Sequence, residues 1–205
     1  MAPPIRFFFD FVSTFSYIAV HKIDDLAARY GRSVEWSAVS LGHLFQAQGI
    51  TPPPSIPAKF KYLGVDFARS CAFAGLPAKI PNPFPPDVKL ARYAFWRIKA
   101  RDEALSHAFA RAVMATLFGK GQSIATAAEI AAACDGLDGI TLAEIEAAAT
   151  DTSAKRAVIA AVDMAKAEGM IGAPFMLLDG EPFWGADRLD HLERRLSQNT
   201  KAARP

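Results

Sequence analysis

The stretch Phe7-Phe8-Phe9-Asp10-Phe11-Val12-Ser13-Thr14-Phe15-Ser16-Tyr17-Ile18-Ala19 decides the fold. The stretch opens on an apolar run too short for a long helix, and residues 5–9, with Arg6 the one charged member, read as a buried strand of the parallel type. From Phe15, apolar residues recur at Ile18, Ala19, Ile23, Leu26, Ala27 and Tyr30, the spacing of an amphipathic helix. Ser13 stands at the corner between them as a candidate N-cap, and Gly31 as the stop. A buried strand thus feeds a helix across a tight turn. The first N–H groups of a helix lack partners and attract negative charge. Ser13 therefore has two compatible readings. It is an ordinary cap, or its hydroxyl also donates to an anion held at that corner.

Working outward, Val34, Trp36 and Ala38 alternate with polar Glu35 and Ser37, so 33–39 reads as a second strand. Pro52-Pro53-Pro54 and Pro81-Asn82-Pro83-Phe84-Pro85-Pro86 read as loops, since proline removes backbone donors. Helices are expected over 59–73, 88–100, 104–118 and 153–168. Thr126–Glu129 and Thr141–Glu144 match the capping box and should each open a short helix. Phe175-Met176-Leu177-Leu178, the Asp179-Gly180 turn and Glu181-Pro182-Phe183-Trp184 read as a hairpin, followed by a helix over 188–196. The order is β-α-β, many helices, β-β-α. It predicts an α/β chain: a discontinuous thioredoxin-like domain of residues 1–41 and 170–205, with an all-helical domain, 42–169, inserted after the second strand. A plain open α/β sheet is the alternative, but the middle offers too few strand signals.

The composition is that of a folded chain. Of 205 residues, 51% are hydrophobic and 21% charged, enough for a core. A net charge of +2 gives no reason to expect nucleic acid, which needs a concentrated basic face. No apolar run reaches the roughly 18–20 residues of a membrane helix, and no leader pattern opens the chain. A soluble cytoplasmic protein is expected. Cys71 and Cys134 form no CxxC and read as small buried hydrophobes. His21, His43, His107 and His191 lack metal-ligand spacing, so no metal is expected.

Three further groups carry candidate chemistry. In a thioredoxin-like fold, Ala173-Pro174 would face the start of the first helix, where a cis proline leaves the preceding backbone free to pair with an extended ligand. A helix opening at Ala186-Asp187 would offer N–H groups to a carboxylate, while Asp187 accepts from an ammonium. The bland alternative is a capped surface helix with a local Asp187–Arg188 pair. Lys59, Lys61 and Tyr62 beside the first proline loop, and Asn82 and Phe84 in the second, are candidates for an anionic substrate. A solvated helix face explains the lysines equally well. Trp36, Trp96 and Trp184 are candidate walls of a flat aromatic pocket, beside the simpler reading as core.

The motifs Asp10-Phe11-Val12-Ser13-Thr14-Phe15-Ser16-Tyr17, Gly172-Ala173-Pro174-Phe175 and Phe183-Trp184-Gly185-Ala186-Asp187-Arg188-Leu189 resemble those of the 2-hydroxychromene-2-carboxylate isomerases. These are bacterial relatives of kappa-class glutathione transferases and of thiol oxidoreductases with a helical insertion. The resemblance spans nearly the whole chain. It implies bound glutathione and a homodimer, with Ser13 in the place of the catalytic serine. It also implies that the Ala173 backbone, beside a cis Pro174, binds the glutathione peptide. Trp184, Gly185, Ala186 and Asp187 would bind its γ-glutamyl end. The implied reaction interconverts a small aromatic carboxylate, a hydroxychromene carboxylate, and its open-chain isomer. Three positions depart from the family pattern. Thr14 stands where proline is common, Ala186 where a polar side chain is usual, and Pro52-Pro53-Pro54 lacks a nearby asparagine. A kappa-like transferase and a non-catalytic glutathione-binding module are the other readings. A disulfide oxidoreductase is disfavoured, since no CxxC lies near Ser13.

Overall fold

The computed structural model describes residues 2–202. Its sheet is built from both ends of the chain, in the order β2-β1-β3-β4: β1 is Ile5–Phe9, β2 Val34–Ala38, β3 Phe175–Leu178 and β4 Glu181–Trp184. β1 and β2 run parallel, with Phe7 opposite Trp36; β3 is antiparallel to both β1 and β4. The apolar run of β1 has a simple cause, because both faces of the sheet are covered. Phe7 and Phe9 point into one apolar core and Phe8 into another. Burying each such ring contributes roughly 1.5–3 kcal/mol.

Between the two halves of the sheet lie the helices α3 (Leu41–Gln48), α4 (Pro57–Ala74), α5 (Lys89–Lys99), α6 (Glu103–Met114), α7 (Ala127–Ala133), α8 (Leu142–Thr150) and α9 (Thr152–Ala167). This is a thioredoxin-like sheet with a helical insertion. The insertion shares its core with the sheet. The Phe9 ring meets Phe95 of α5 edge-on at 5.2 Å, and Phe11 meets Phe109 of α6 at 6.1 Å. On the other face, Phe8 packs with Leu44 of α3 and Val162 and Ala165 of α9.

Five expectations need correction. The helix after Ser13 is two short ones, α1 (Thr14–Val20) and α2 (Ile23–Ala28), separated at His21-Lys22. α3, which carries His43, is a helix absent from the sequence reading, bracketed by Ser40 and by Gly49 in the left-handed region (φ 65°). The helix after Asp102 passes into a π-helical turn, Ala115–Gly119. The last helix, α10, is Leu189–Ala202, entered through a 3₁₀ turn at Ala186–Arg188. Thr126 and Glu129 form a full capping box, whereas Thr141 caps the Glu144 N–H alone.

Candidate functional site

Ser13 caps α1 as its position requires. Its Oγ accepts from the Ser16 N–H at 3.1 Å. A hydroxyl has one proton and two lone pairs, so capping leaves the proton free to point outward. It is donated to the Ala173 carbonyl at 3.0 Å, across 160 residues of chain. The Ala173–Pro174 peptide bond is cis. The Pro174 carbonyl in turn accepts from the Gly185 N–H at 2.9 Å, which ties this segment to the start of the 3₁₀ turn. That turn packs against α1. The three motifs, distant in sequence, therefore meet at one corner.

Two glycines make the close approach possible. A Cβ on Gly172 would lie 2.6 Å from Nε1 of Trp184, so the indole occupies the space a side chain would take. Gly185 has φ 110°, a region L-residues rarely adopt, and a Cβ there would collide with Asp187. Trp184 is half-exposed. Asp187 is largely exposed and pairs with Arg188 at 3.3 Å. Such a surface pair is worth about 0–1 kcal/mol and exchanges readily for another partner. The N–H groups of Ala186 and Asp187, by contrast, have no hydrogen-bond partner among the described residues.

Beneath the corner lies a pair the sequence reading missed. Asp10 is fully buried at the end of β1. Its carboxylate accepts from Arg92 Nε at 2.8 Å and Nη2 at 2.9 Å, and from the Leu41 N–H at 2.8 Å. A longer bond of 3.3 Å comes from the Val12 N–H, and the Asp10 carbonyl accepts from the Ser13 N–H at 2.9 Å. An uncompensated buried carboxylate would cost several kcal/mol, so the partners are obligatory. An aspartate inside an apolar run is itself a signal that such a partner exists. Nothing in the sequence singles out Arg92.

Lys59 and Tyr62 are exposed on α4. Asn82 is exposed and Phe84 half-buried in the loop before α5, where Phe84 stacks on Phe60 at 5.4 Å. No hydrogen bond or ring contact joins these four to Ser13 among the described residues. The three tryptophans do not form one pocket: Trp36 is core, stacked on His107 at 4.2 Å, and Trp96 donates to the Ala38 carbonyl. Cys71 and Cys134 are free and buried, and burial pushes their thiols up to about 11 and about 12. Neither serves as a thiolate nucleophile near neutral pH. Among the described residues no cluster of His, Cys, Asp or Glu fits a metal, and no helix is long and apolar enough to cross a membrane.

Residues 4–197 match the model of the DSBA-like thioredoxin domain family. A 2-hydroxychromene-2-carboxylate isomerase of Sphingobium xenophagum is 30% identical over 200 residues, covering 96% of this chain and 99% of that one. A glutathione S-transferase kappa 1 of Caenorhabditis elegans is 30% identical over 91 residues, 44% of this chain and 40% of its own. Among solved structures, a 2-hydroxychromene-2-carboxylate isomerase superposes with TM-score 0.84 at 26% identity, covering 97% of this chain and 96% of that one.

Proposed function

The chain belongs to the DSBA-like thioredoxin domain family, among the 2-hydroxychromene-2-carboxylate isomerases, and on that premise we propose that it is a glutathione-dependent isomerase. Its substrate is a 2-hydroxychromene-2-carboxylate or a similar small aromatic carboxylate. The observation that carries the reading is the Ser13 hydroxyl, capped on one side and aimed at the Ala173 carbonyl on the other.

The donor set suits glutathione. The Ala173 carbonyl is an acceptor for a peptide N–H of the ligand. The unpaired N–H groups of Ala186 and Asp187 suit a carboxylate, and the exposed Asp187 carboxylate suits an ammonium. The Trp184 indole lies beside them, against Gly172. When bound, glutathione supplies a thiol whose anion adds reversibly to a conjugated double bond and lets it rotate. Ser13 holds that sulfur. Once a ligand N–H takes over the Ala173 carbonyl, the Ser13 proton is released to donate to sulfur instead. The hydroxyl stabilises the anion without competing as a nucleophile. The fit turns on the Ser13 corner. Ala186 offers backbone alone where a side chain is usual in the family.

Several finer assignments belong to the same proposal. Lys59, Tyr62, Asn82 and Phe84 hold the aromatic carboxylate. The enzyme is a cytoplasmic homodimer, and the chain divides into 1–41 with 170–205 against 42–169. Calorimetric titration with glutathione, followed by an ultraviolet assay of hydroxychromene carboxylate conversion, tests the core of it. Saturable binding and conversion are expected. No binding sinks the reading. Binding with conjugation of a model electrophile but no conversion favours a kappa-like transferase, the reading supported by the partial likeness to that class.

A further inference from the structure

We propose that Arg92 is the charge-balancing, positioning residue of the Ser13 site: it cancels the buried Asp10 carboxylate so that a second anion, a sulfur, can be held beside Ser13. The inference rests on the glutathione reading above and extends it to two residues outside the ligand-contacting set.

Asp10 lies three residues before Ser13 and in the same backbone turn. Its carbonyl accepts from the Ser13 N–H, and its carboxylate from the Val12 N–H. The carboxylate is fully buried, so solvent does not screen it. Left alone, that charge would oppose any anion brought to the corner, because like charges in a poorly screened site disfavour each other's ionisation. Arg92 reaches in from α5 and meets both carboxylate oxygens with the fork of its guanidinium. Its side chain is itself mostly buried, so the two charges are balanced locally. No other charged side chain bonds to Asp10 or Ser13 among the described residues. The facing 3₁₀ turn brings Asp187 and Arg188, already paired with each other. His21 and Asp24 belong to the far end of α1 and to α2. The same carboxylate also fixes the Leu41 N–H at the start of α3, so structure and charge are combined in one pair.

The two roles separate because the partners carry opposite charges. Removing Arg92 strands a negative charge under the site, whereas removing the charge of Asp10 strands a positive one. A purely structural pair would move the site the same way in both cases. The test uses the full chain with glutathione as probe. Calorimetry gives affinity, and ultraviolet thiolate absorbance across pH gives the ionisation of the bound thiol. Arg92→Gln is expected to bind about tenfold more weakly at neutral pH, with its bound thiol ionising at higher pH. Asp10→Asn is expected to shift that ionisation to lower pH, and the double variant to return it close to the unchanged chain.

Shifts of the two single variants in one direction, or no shift in either while the unchanged chain binds, overturn the proposal. Failure of the unchanged chain to bind glutathione is a separate result, which removes the functional reading and this inference with it. Should Arg92→Gln not fold, as judged by its thermal transition, Arg92→Lys carries the test beside Asp10→Asn. The lysine is expected to leave the ionisation in place, and a shift to higher pH overturns the proposal.

Discussion

Two polar regions lie at opposite ends of the first helical segment, and the less conspicuous one is the candidate site. Around Asp24 the titratable groups crowd together. The carboxylate accepts from Trp36 Nε1 at 2.9 Å, His107 Nδ1 at 3.0 Å and Arg111 Nη1 at 2.9 Å. Two surface depressions flank it, of about 270 and 640 Å³. The Ser13 corner lines neither of them and offers one hydroxyl. Yet the Asp24 groups are committed to one another, and their bonds brace α2, β2 and α6. Among the buried side-chain atoms of this group in the described residues, only His107 Nε2 lacks a hydrogen bond, with Glu103 at 3.8 Å. At Ser13 the bonds are few and exchangeable, a hydroxyl to a carbonyl and a surface ion pair. The contrast teaches that volume and charge density mark bracing here, while replaceable partners mark the place proposed for a ligand.

The contrast breaks most visibly in single substitutions. Ser13→Ala is expected to lower isomerase turnover about 10²–10³-fold, the size of losing one anion-stabilising donor. Its stability cost is only that of a lost cap, about 1 kcal/mol. Turnover that survives the alanine would show that Ser13 is merely the cap. Asp24→Ala should do the reverse. It leaves Trp36, His107 and Arg111 without their acceptor, so denaturant unfolding should lose about 3 kcal/mol. Glutathione affinity should stay within about twofold, since the corner's own bonds are untouched. An Asp24 variant of full stability that no longer binds would exchange the roles of the two regions.

How much of this could be read from the chain differs between the regions for a physical reason. Local chemistry is legible. Ser13 as a cap and the Asp179-Gly180 hairpin follow from residues that act on their own backbone or their neighbours', whereas the cis junction at Ala173-Pro174 is expected from the fold and not from its own residues, which favour trans. Ser40 and Gly49, which bracket the eight residues of α3, are local marks of the same kind that the sequence reading leaves unused. Long-range pairing is not legible. Asp10 finds Arg92 across 82 residues and Asp24 finds His107 across 83, and no period or motif announces either bond. The break at His21-Lys22 escaped because the apolar spacing continues through it: Ile18, Ala19, Ile23, Leu26 and Ala27 all enter the same core. Where the pattern is satisfied on both sides of a bend, it carries no mark of the bend.

A smaller effect sharpens the Ser13 side of the comparison. Asp187→Ala is expected to weaken glutathione by about 2 kcal/mol, the loss of one charge-assisted bond to the ligand's ammonium. Thermal stability should hardly change, because among the described residues the only partner lost is the exposed Arg188. An unchanged dissociation constant would place the γ-glutamyl end elsewhere and leave Asp187 as the surface pair it forms in isolation.

The smallest effect lies on the Asp24 side and is read from pH. His21 closes α1, its Nδ1 bonded to the Tyr17 carbonyl at 2.8 Å. A carbonyl only accepts, so Nδ1 carries the proton and Nε2 is the site that titrates. Burial pushes the imidazole below its ordinary value; the Tyr17 bond opposes this, and the Arg111 and Lys22 charges add to it. The unfolded chain therefore takes up a proton near pH 6.5, as about expected for a free imidazole, while the folded chain waits for lower pH. In that window the unfolded state binds more protons, so stability falls as pH drops. Asp24 acts in a lower window. Burial alone would raise its carboxyl, but the bonds from His107, Arg111 and Trp36 outweigh that and hold it low. Its contribution is lost only as pH falls below the usual carboxylate range. Melting curves between about pH 7 and pH 5 should thus show a modest decline that His21→Asn flattens. A decline unchanged by the asparagine would assign the proton to another group and leave His21 a passive end to α1.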